Sequence, residues 1–313
     1  MEYLTFQASE TDTGKRLDAF LAEKIESRSR VRLQKIVADG DVSVNENPAK
    51  SSYKVRVGDE IEVELPEPLS ETFEPENIPL EIVYEDEWLA VIDKPAGMVV
   101  HPGAGVKSGT LANAVAFHFK LQVEDSKFEN RVGIVHRLDK LTSGLIVVAK
   151  SEDVHEQLSE QFRNREVFKS YVALVHGEIA EKSGQIDQPI AREKHNRTKM
   201  AGRAHGRAAL SLWQIRKRYE RFTSLNVEIK TGRTHQIRVH LAHINHPVVG
   251  DETYNSGRDN NIKDETVRKA VKDLERFFLH AERLSFTHPK TAGRLEFYSP
   301  LPKELIDFLA LIK

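Results

Sequence analysis

The hydrophobic pattern of the first part of the chain predicts two short helices followed by strands. One apolar stripe at helical spacing runs over residues 16–25, and a second runs over residues 31–37 and ends at Asp39-Gly40. Apolar and polar residues then alternate over residues 42–45 and 61–65, which is typical of strands with one buried face. This order of elements predicts a small module of its own.

A proline-rich acidic stretch, PEPLSETFEPENIP, follows the last of these strands. Such composition is typical of an extended, self-repelling linker rather than of a packed element. We therefore predict a module at residues 14–66, a linker at 67–79 and a second domain at 80–313.

The second domain shows no internal repeat. Its pattern predicts strands at 80–84 and 88–92, helices at 110–119 and after Ser151, a strand at 167–176, a helix at 262–277, closing strands between 279 and 300, and a last helix at 303–311.

Residues 133–150, GIVHRLDKLTSGLIVVAK, place a charged loop between two apolar runs of strand character. Loops that rigid strands hold in place often carry function. Arg137 and Lys140 flank Asp139, and neighbouring cations keep a carboxylate ionised, so that it can act as a nucleophile or an electrostatic partner. The alternative is a solvated charge cluster on a hairpin.

A second concentration of polar residues, KTGRTHQIRVHL, follows a strand-like run at 227–229. Arg233 within it is permanently charged and can pair a carboxylate bidentately. Four histidines between residues 235 and 246 raise the alternative of a metal site. No carboxylate lies among them before Asp251, and Pro247 ends the helical spacing, so packing or RNA contacts are the favoured interpretation.

Composition narrows the class of protein. The chain has 313 residues, no cysteine and a net charge of −2. It shows no secretory signal and no apolar run of bilayer length, so we expect a cytoplasmic protein without disulfides. The small net charge hides a segregation, because residues 15–35 and 192–207 are basic whereas residues 59–87 contain acids and no Lys or Arg. Local basic patches of this kind can bind a polyanion. We interpret residues 192–207 as a mobile loop that either tracks phosphates or is simply solvated.

Motifs for other chemistries are missing or incomplete. The sequence has neither a nucleotide-triphosphatase phosphate loop nor a dinucleotide glycine fingerprint, and we expect no cofactor. Ser143, His136 and Asp139 could form a hydrolase triad in principle. Ser143, however, is not surrounded by a Gly-x-Ser-x-Gly elbow, which argues against that class.

The run from His136 to Lys150 resembles the active-site signature of RNA pseudouridine synthases of the RluA/RluD type, and GRTHQIR, DKPAGMVVHPGAG and HPVVGDETYN are similar to further stretches of that family. The resemblance implies that Asp139 is the nucleophile and that Arg233 pairs with it. It also implies that Tyr171 stacks on the target base and is a candidate for proton transfer, and that Arg137 shapes the space left by the flipped base. His235 and Arg238 would organise their helix and contact RNA. Leu141 departs from the family, which commonly has an acidic residue there.

Residues 14–66 resemble the alpha-L RNA-binding module of a small-subunit ribosomal protein, through RLDAFLAEKI, SRSRVRLQKIVADGDVSVN and VGDEIEV. In that case Arg28, Arg30, Arg32 and Lys35 would meet phosphate near the start of the second helix. The alternative is a packing element whose arginines face water.

The two resemblances together imply an α+β protein. Its catalytic domain would be a mixed, mainly antiparallel sheet with flanking helices, preceded by the RNA-binding module. The expected activity is isomerisation of uridine to pseudouridine, in large-subunit ribosomal RNA by analogy with proteins that carry such a module. The alternatives are the same chemistry on transfer RNA and a non-catalytic RNA-binding or ribosome-assembly factor. The sequence specifies neither the uridine, nor whether Asp139 attacks base or sugar, nor the oligomeric state.

Overall fold

The computed structural model describes residues 2–25, 28–38, 40–45, 47–65, 73–103, 105–121, 132–193, 199–203 and 206–312, and of Glu2, Tyr3 and Lys35 it describes the backbone alone. The predicted RNA contact of the Lys35 side chain, most of the first half of the predicted linker, and residues 194–198 and 204–205 of the predicted basic loop therefore lie outside the described residues. Within the described part of the chain, no helix is long and apolar enough to cross a bilayer.

The N-terminal module is a four-stranded antiparallel sheet covered by two helices. Its sheet has the order β1-β4-β2-β3. The two predicted helices and the strand at 61–65 are confirmed, and a first strand that pairs with β4 lies ahead of residue 14. The elements are β1 (Glu2–Gln7), α1 (Leu17–Lys24), α2 (Arg30–Ala38), β2 (Val42–Val44), β3 (Asn47–Pro48) and β4 (Glu60–Leu65).

One face of this sheet and the inner faces of α1 and α2 enclose a separate apolar core. Phe20, Leu21, Leu33 and Ile61 are fully buried in it. Burial of such side chains contributes about 1.5–3 kcal/mol each. The module thus has a hydrophobic core of its own.

The second domain is built on a nine-stranded sheet of order β5-β6-β7-β14-β8-β13-β12-β9, with β15 also paired to β14. All pairings described in this sheet are antiparallel except β7 with β14, so the predicted mixed, mainly antiparallel architecture is confirmed. Its strands are β5 (Glu81–Glu85), β6 (Leu89–Lys94), β7 (Ser143–Ala149), β8 (Phe168–His176), β9 (Ser183–Asp187), β12 (Leu210–Tyr219), β13 (Phe222–Ile229), β14 (Leu279–Thr287) and β15 (Arg294–Tyr298).

Helices pack around this sheet, and several begin where the sequence places a cap. Thr110 accepts from Asn113 N–H and Ser151 accepts from Val154 N–H, so the predicted starts of two helices are confirmed. The predicted helix at 262–277 is shorter, because Asp264 accepts the N–H groups of Thr266 and Val267 and fixes its start. The helices are α3 (Leu111–His118), α4 (Glu152–Arg163), α5 (Gln236–His243), α6 (Glu265–Asp273) and α7 (Lys303–Leu311).

The basic stretch 192–207 differs from the predicted loop. Residues on either side of 194–198 form a small antiparallel hairpin of β10 (Ile190–Arg192) and β11 (Met200–Gly202). The hairpin continues through reciprocal backbone hydrogen bonds between Ile190 and Arg207. The sequence lacks an alternating pattern here because the hairpin is half-buried along most of its length, so neither face is clearly apolar.

The parallel pair β7–β14 explains the glycine of the Thr-Ser-Gly stretch. Gly144 has a φ of +113°, and a Cβ there would lie 2.3 Å from the carbonyl oxygen of Ala281. Only glycine permits both this conformation and this approach of two backbones. The strand that follows the charged loop is thereby held against the centre of the sheet.

Candidate active site

Asp139 lies in the loop that leads into β7. The carbonyl of Asp139 accepts the N–H of Thr142 at 3.0 Å, which closes a turn, and Leu138 beside it is buried in the main core. Leu141, where the family commonly has an acidic residue, packs against the same core. The loop is therefore anchored by apolar side chains on both sides of Asp139, while the carboxylate itself is 19% exposed.

Arg238 on α5 is the cation that pairs with Asp139. Its Nη1 lies 3.2 Å from Asp139 Oδ2, while Nε and Nη2 bind the two carboxylate oxygens of Asp251 at 2.7 and 2.9 Å. The buried carboxylate of Asp251 therefore fixes one edge of the guanidinium, and an N–H of Nη1 points towards Asp139. This arrangement holds Asp139 in a single position.

Two aromatic rings lie against the Arg238 guanidinium. Its Cζ lies 4.4 Å from the ring centre of Phe277 and 5.0 Å from that of Tyr254. Burial opposes the charge of Arg238, but the hydrogen bonds and charges of Asp251 and Asp139 outweigh it and raise the pKa of Arg238. The arginine therefore stays charged in a nearly dry site.

Arg233 does not occupy the position that the resemblance gave it. Its Nε donates to the carbonyl of Ala208 at 3.2 Å, and the side chain that reaches Asp139 is Arg238. The reason is geometric, because Arg233 precedes α5, whereas Arg238 lies within α5, which begins at Gln236. Burial and the neighbouring charge of Arg207 lower the pKa of Arg233 to about 10.

Gln236 fixes the turn before α5. Its side-chain oxygen accepts from Thr231 Oγ1 at 2.7 Å and from Arg233 N–H at 3.0 Å, and its amide nitrogen donates to Leu210 and Ser211. His235, at the N-cap, has a φ of +55°. This left-handed conformation places its Nδ1 2.9 Å from the hydroxyl of Tyr254, so His235 adjoins the ring that covers Arg238.

Tyr171 lies on β8 and is 7% exposed. Burial, together with the nearby negative charge of Asp139, raises the pKa of its phenol well above the usual value. In the resting site Tyr171 is therefore a phenol and not a phenolate. Arg137, by contrast, is exposed next to the same loop. Burial is the main cause that lowers the pKa of His235, and the charges of Arg238 and Arg137 lower it further.

Lys94 at the end of β6 supports the Asp139 loop from below. Its Nζ is fully buried and donates to the carbonyls of Pro95, Met98 and Lys140 at 2.8, 2.9 and 3.3 Å. The carbonyl of Lys140, next to Asp139, also accepts the N–H of Gly97. Burial, followed by the charge of Arg276, lowers the pKa of Lys94 to about 7. Lys94 is thus a support of the loop and not an exposed substrate contact.

His136 also has a supporting role. Its Nε2 accepts the N–H of Val147 at 3.0 Å, and its ring stacks on Phe162 with centroids 4.6 Å apart. Burial and the charge of Lys169 lower its pKa to about 3. His136 is therefore neutral near pH 7 and ties the loop to β7.

The hydrolase arrangement considered from sequence is not formed. Ser143 Oγ contacts His280 Nδ1 and Arg276 Nη2, both at 2.9 Å, and all three side chains are buried. Its neighbours are thus neither His136 nor Asp139, and the cluster is closed to a substrate.

The histidines near α5 likewise have other partners. His240 bonds to Ser211 Oγ and to the carbonyl of Gln188, each at 2.9 Å, and His246 bonds to the carbonyl of His176. Across the described ranges, no group of three or more His, Asp or Glu residues is placed to hold a metal.

The N-terminal module presents arginines around one buried carboxylate. Asp18 has a fully buried side chain that binds Arg16 through two hydrogen bonds of 3.1 and 3.0 Å and Arg30 at 3.1 Å. Arg30 is therefore partly engaged, although half of its side chain is exposed. Arg28 and Arg32 flank it at the start of α2, as the sequence predicted.

Sequence reasoning missed Asp251, Tyr254 and Phe277, which hold and cover Arg238. Asp251 lies in the family-like string HPVVGDETYN, but only the fold brings this string and α5 together. Arg16 was also missed, although its partner Asp18 is only two residues away in the sequence.

Comparisons with known proteins agree with both sequence resemblances. A family described as RNA pseudouridylate synthase matches residues 88–243, and the S4 domain matches residues 15–61. An uncharacterized RNA pseudouridine synthase of Bacillus subtilis is 39% identical over 99% of this chain and 98% of its own. Ribosomal large subunit pseudouridine synthase D of Pasteurella multocida is 41% identical over 96% and 92%. The solved structure of human RNA pseudouridylate synthase domain containing 1 has a TM-score of 0.55 and 26% identity, over 72% of this chain and 84% of its own.

Proposed function

The chain belongs to the RNA pseudouridine synthases and carries an S4 domain, and from this premise we propose that it isomerises uridines of large-subunit ribosomal RNA in the cytoplasm, with Asp139 as the nucleophile. The observation that carries the role of Asp139 is its pairing with Arg238, which Asp251 fixes in turn. A carboxylate held in one position beside a permanent cation is oriented for attack and loses little freedom in reaching the transition state.

The reaction breaks the bond between N1 of uracil and C1′ of ribose, turns the base and joins its C5 to C1′. The proton on C5 leaves and N1 ends with a proton, so no oxidant, reductant or energy source is consumed. Asp139 would add to the base or to the sugar and be released at the end. The uridine has to leave its stack to reach Asp139, and the exposed Arg137 would fill the space that the base leaves.

Tyr171 is proposed to stack on the base and to take the C5 proton. Its raised pKa makes the resting phenol a poor base. Bonding of the Asp139 oxygen to the substrate removes the negative charge that contributes to this raised pKa. Tyr171 has to give up its phenol proton, which N1 of the detached uracil can accept, before its oxygen takes the C5 proton. This ionisation would become easier only after the covalent step, which orders the two events.

A non-catalytic RNA-binding factor has no need for this buried set of Asp139, Arg238 and Asp251. The family relationship and the set together favour an enzyme. Transfer RNA as the substrate is the second candidate, but the S4 domain and the similarity to a large-subunit synthase favour ribosomal RNA.

A pseudouridine map of total RNA from cells with and without the gene tests the substrate. We expect specific large-subunit ribosomal sites to disappear without the gene and to return with the wild-type gene but not with Asp139→Asn. Loss of sites only in transfer RNA would keep the chemistry and overturn the substrate. Purified protein that leaves uridine unchanged in every RNA offered would overturn the activity itself.

A further inference from the structure

An ion cluster joins the S4 domain to the catalytic domain close to the candidate site. Arg207, which follows β11, binds Asp41 through Nη2 at 2.5 Å and Glu64 through Nη1 at 3.1 Å. Asp41 precedes β2 and Glu64 lies on β4, so both carboxylates belong to the N-terminal module, whose residues 15–61 match the S4 domain. All three side chains are mostly buried, with 16–27% exposure. The guanidinium fork of a catalytic-domain arginine is therefore filled by oxygens of the RNA-binding domain.

The two carboxylates are held as a pair. The N–H of Glu64 donates to the carbonyl of Asp41 at 2.7 Å. Two anionic oxygens on the two arms of a guanidinium resemble the arrangement that a phosphate group offers to arginine. Asp41 and Glu64 thus occupy the place that an RNA phosphate would take.

The arginine on the other side is equally fixed. Reciprocal backbone hydrogen bonds of 2.8 and 2.9 Å tie Arg207 to Ile190 of β10. The carbonyl of the next residue, Ala208, accepts from Arg233 Nε, so the two guanidinium-bearing residues lie side by side. Backbone hydrogen bonds to β10 therefore hold Arg207 next to the motif that carries the active-site helix.

The charges around Arg207 and Arg233 favour an anion. Burial and the charge of Arg207 lower the pKa of Arg233, and Asp41 and Glu64 act in the opposite direction. Lys169, two residues before Tyr171, has a pKa lowered to about 8 by burial and by Arg233. Arg165 also lowers the pKa of Arg233, so four cations repel one another here unless anions lie among them. Asp41 and Glu64 are anions that reduce this repulsion in the RNA-free protein.

We propose that Arg207 and Arg233 form a phosphate-binding site for the RNA backbone, and that Asp41 and Glu64 close it as a latch until a phosphate replaces them. The exchange of one anion for another releases the S4 domain from Arg207 of the catalytic domain when RNA binds. This inference rests on the proposed RNA substrate for the identity of the anion, but the latch itself can be tested without RNA.

The first experiment measures the distance between the two domains in the RNA-free full-length protein. The chain has no cysteine, so Ser52→Cys in the S4 domain and Glu181→Cys in the catalytic domain, both exposed positions, accept spin labels selectively. We expect one short distance in the wild-type background and a broader, longer distribution with D41N/E64Q. The control E60Q/E62Q removes the same number of charges at two exposed positions of β4, the strand of Glu64, and should leave the distance unchanged. An unchanged distance with D41N/E64Q would overturn the latch.

The second experiment measures RNA affinity on a ribosomal fragment. Because two mostly buried ion pairs no longer compete with the RNA phosphate, D41N/E64Q should bind RNA about five- to tenfold more tightly than E60Q/E62Q. In the Arg207→Ala background this gain should shrink to about twofold or less. A gain that persists without Arg207 would mean general charge repulsion and would overturn the site. If no variant binds RNA while the spin-label distances respond as expected, the latch stands and the proposed substrate fails.

Discussion

Two arginine–carboxylate clusters, one in each domain, have opposite charge balance. In the S4 domain one carboxylate, Asp18, holds the two guanidiniums of Arg16 and Arg30. In the catalytic domain one guanidinium, that of Arg238, lies between the carboxylates of Asp139 and Asp251. The first cluster therefore has a surplus positive charge and the second a surplus negative charge.

The two clusters also differ in which ion reaches solvent. Asp18 is fully buried while Arg16 and Arg30 are 42% and 50% exposed. Arg238 and Asp251 are 6% and 1% exposed, whereas Asp139 is 19% exposed. The S4 cluster buries one ion, Asp18, whereas the catalytic cluster buries two, Arg238 and Asp251. In each cluster a buried ion orients a more exposed ion of opposite charge. The S4 domain presents cations suited to phosphate, and the catalytic domain presents a carboxylate suited to attack.

The largest expected effect comes from removing Asp139, the more exposed carboxylate of the catalytic cluster. Asp139→Asn should lower the rate of pseudouridine formation by at least about a thousandfold, because an amide cannot replace the nucleophile. RNA affinity should change by less than about twofold, since the S4 domain is untouched. Single-turnover isomerisation and filter binding on one RNA measure the two quantities. A variant that keeps the wild-type rate would show that Asp139 is not the nucleophile.

The next effect distinguishes the two arginines of one motif. Arg238→Lys keeps a charge but loses the fork that joins Asp139 to Asp251, and we expect the maximal rate to fall about a hundredfold. Arg233→Lys serves as the matched control, because Arg233 contacts a backbone carbonyl and not Asp139. It should raise the RNA concentration needed for half-maximal rate and change the maximal rate little. The opposite pattern would restore the pairing that the sequence resemblance implied.

The fate of these arginines shows what the sequence could specify. The motif around Asp139, the caps Thr110 and Ser151 and the short apolar runs are local signals, and the elements they predict are present. Which arginine reaches Asp139 depends on the turn before α5, which places Arg233 outside the helix and Arg238 within it. The motif contains both arginines, but it does not determine which of the two side chains points towards Asp139.

Contacts between residues that are far apart in the sequence could not be predicted either. Asp251 binds Arg238 across a chain reversal at Pro247, and Arg207 binds Glu64 across 143 positions. No spacing rule connects such residues, because the tertiary fold and not the local chain brings them together. The half-buried hairpin at 190–202 was missed because its alternation of apolar and polar residues is weak.

A smaller effect is expected from the arginines at the start of α2. Arg28→Ala with Arg32→Ala should weaken RNA binding about tenfold at moderate salt, since cations near this helix start can contact phosphate. The slope of log affinity against log salt should flatten by about 0.7–0.9 for each phosphate that the variant no longer neutralises. Titrations at several salt concentrations give both values. An unchanged slope would reduce the arginines to a packing role.

The smallest expected effect concerns the S4 cluster, where the loss of orientation and the change of net charge should act on RNA affinity in opposite directions. Asp18→Asn removes a negative charge, which by simple repulsion should tighten binding to a polyanion. We expect the reverse, about three- to fivefold weaker binding, because Arg16 and Arg30 lose the buried acceptor that fixes them towards solvent and must be ordered by RNA instead. Isothermal titration with one ribosomal fragment measures the change.

Asp59→Asn is the matched control for this change. Asp59 is a buried carboxylate of the same domain, but its partners are Asn45, Tyr53 and a backbone N–H, so its removal frees no guanidinium. It should leave affinity unchanged or slightly raised once folding is verified by circular dichroism. Equal weakening in both variants would attribute the effect to general loosening of the S4 domain. Weakening in Asp18→Asn alone would show that a buried carboxylate can strengthen the binding of an anion by holding the cations that meet it.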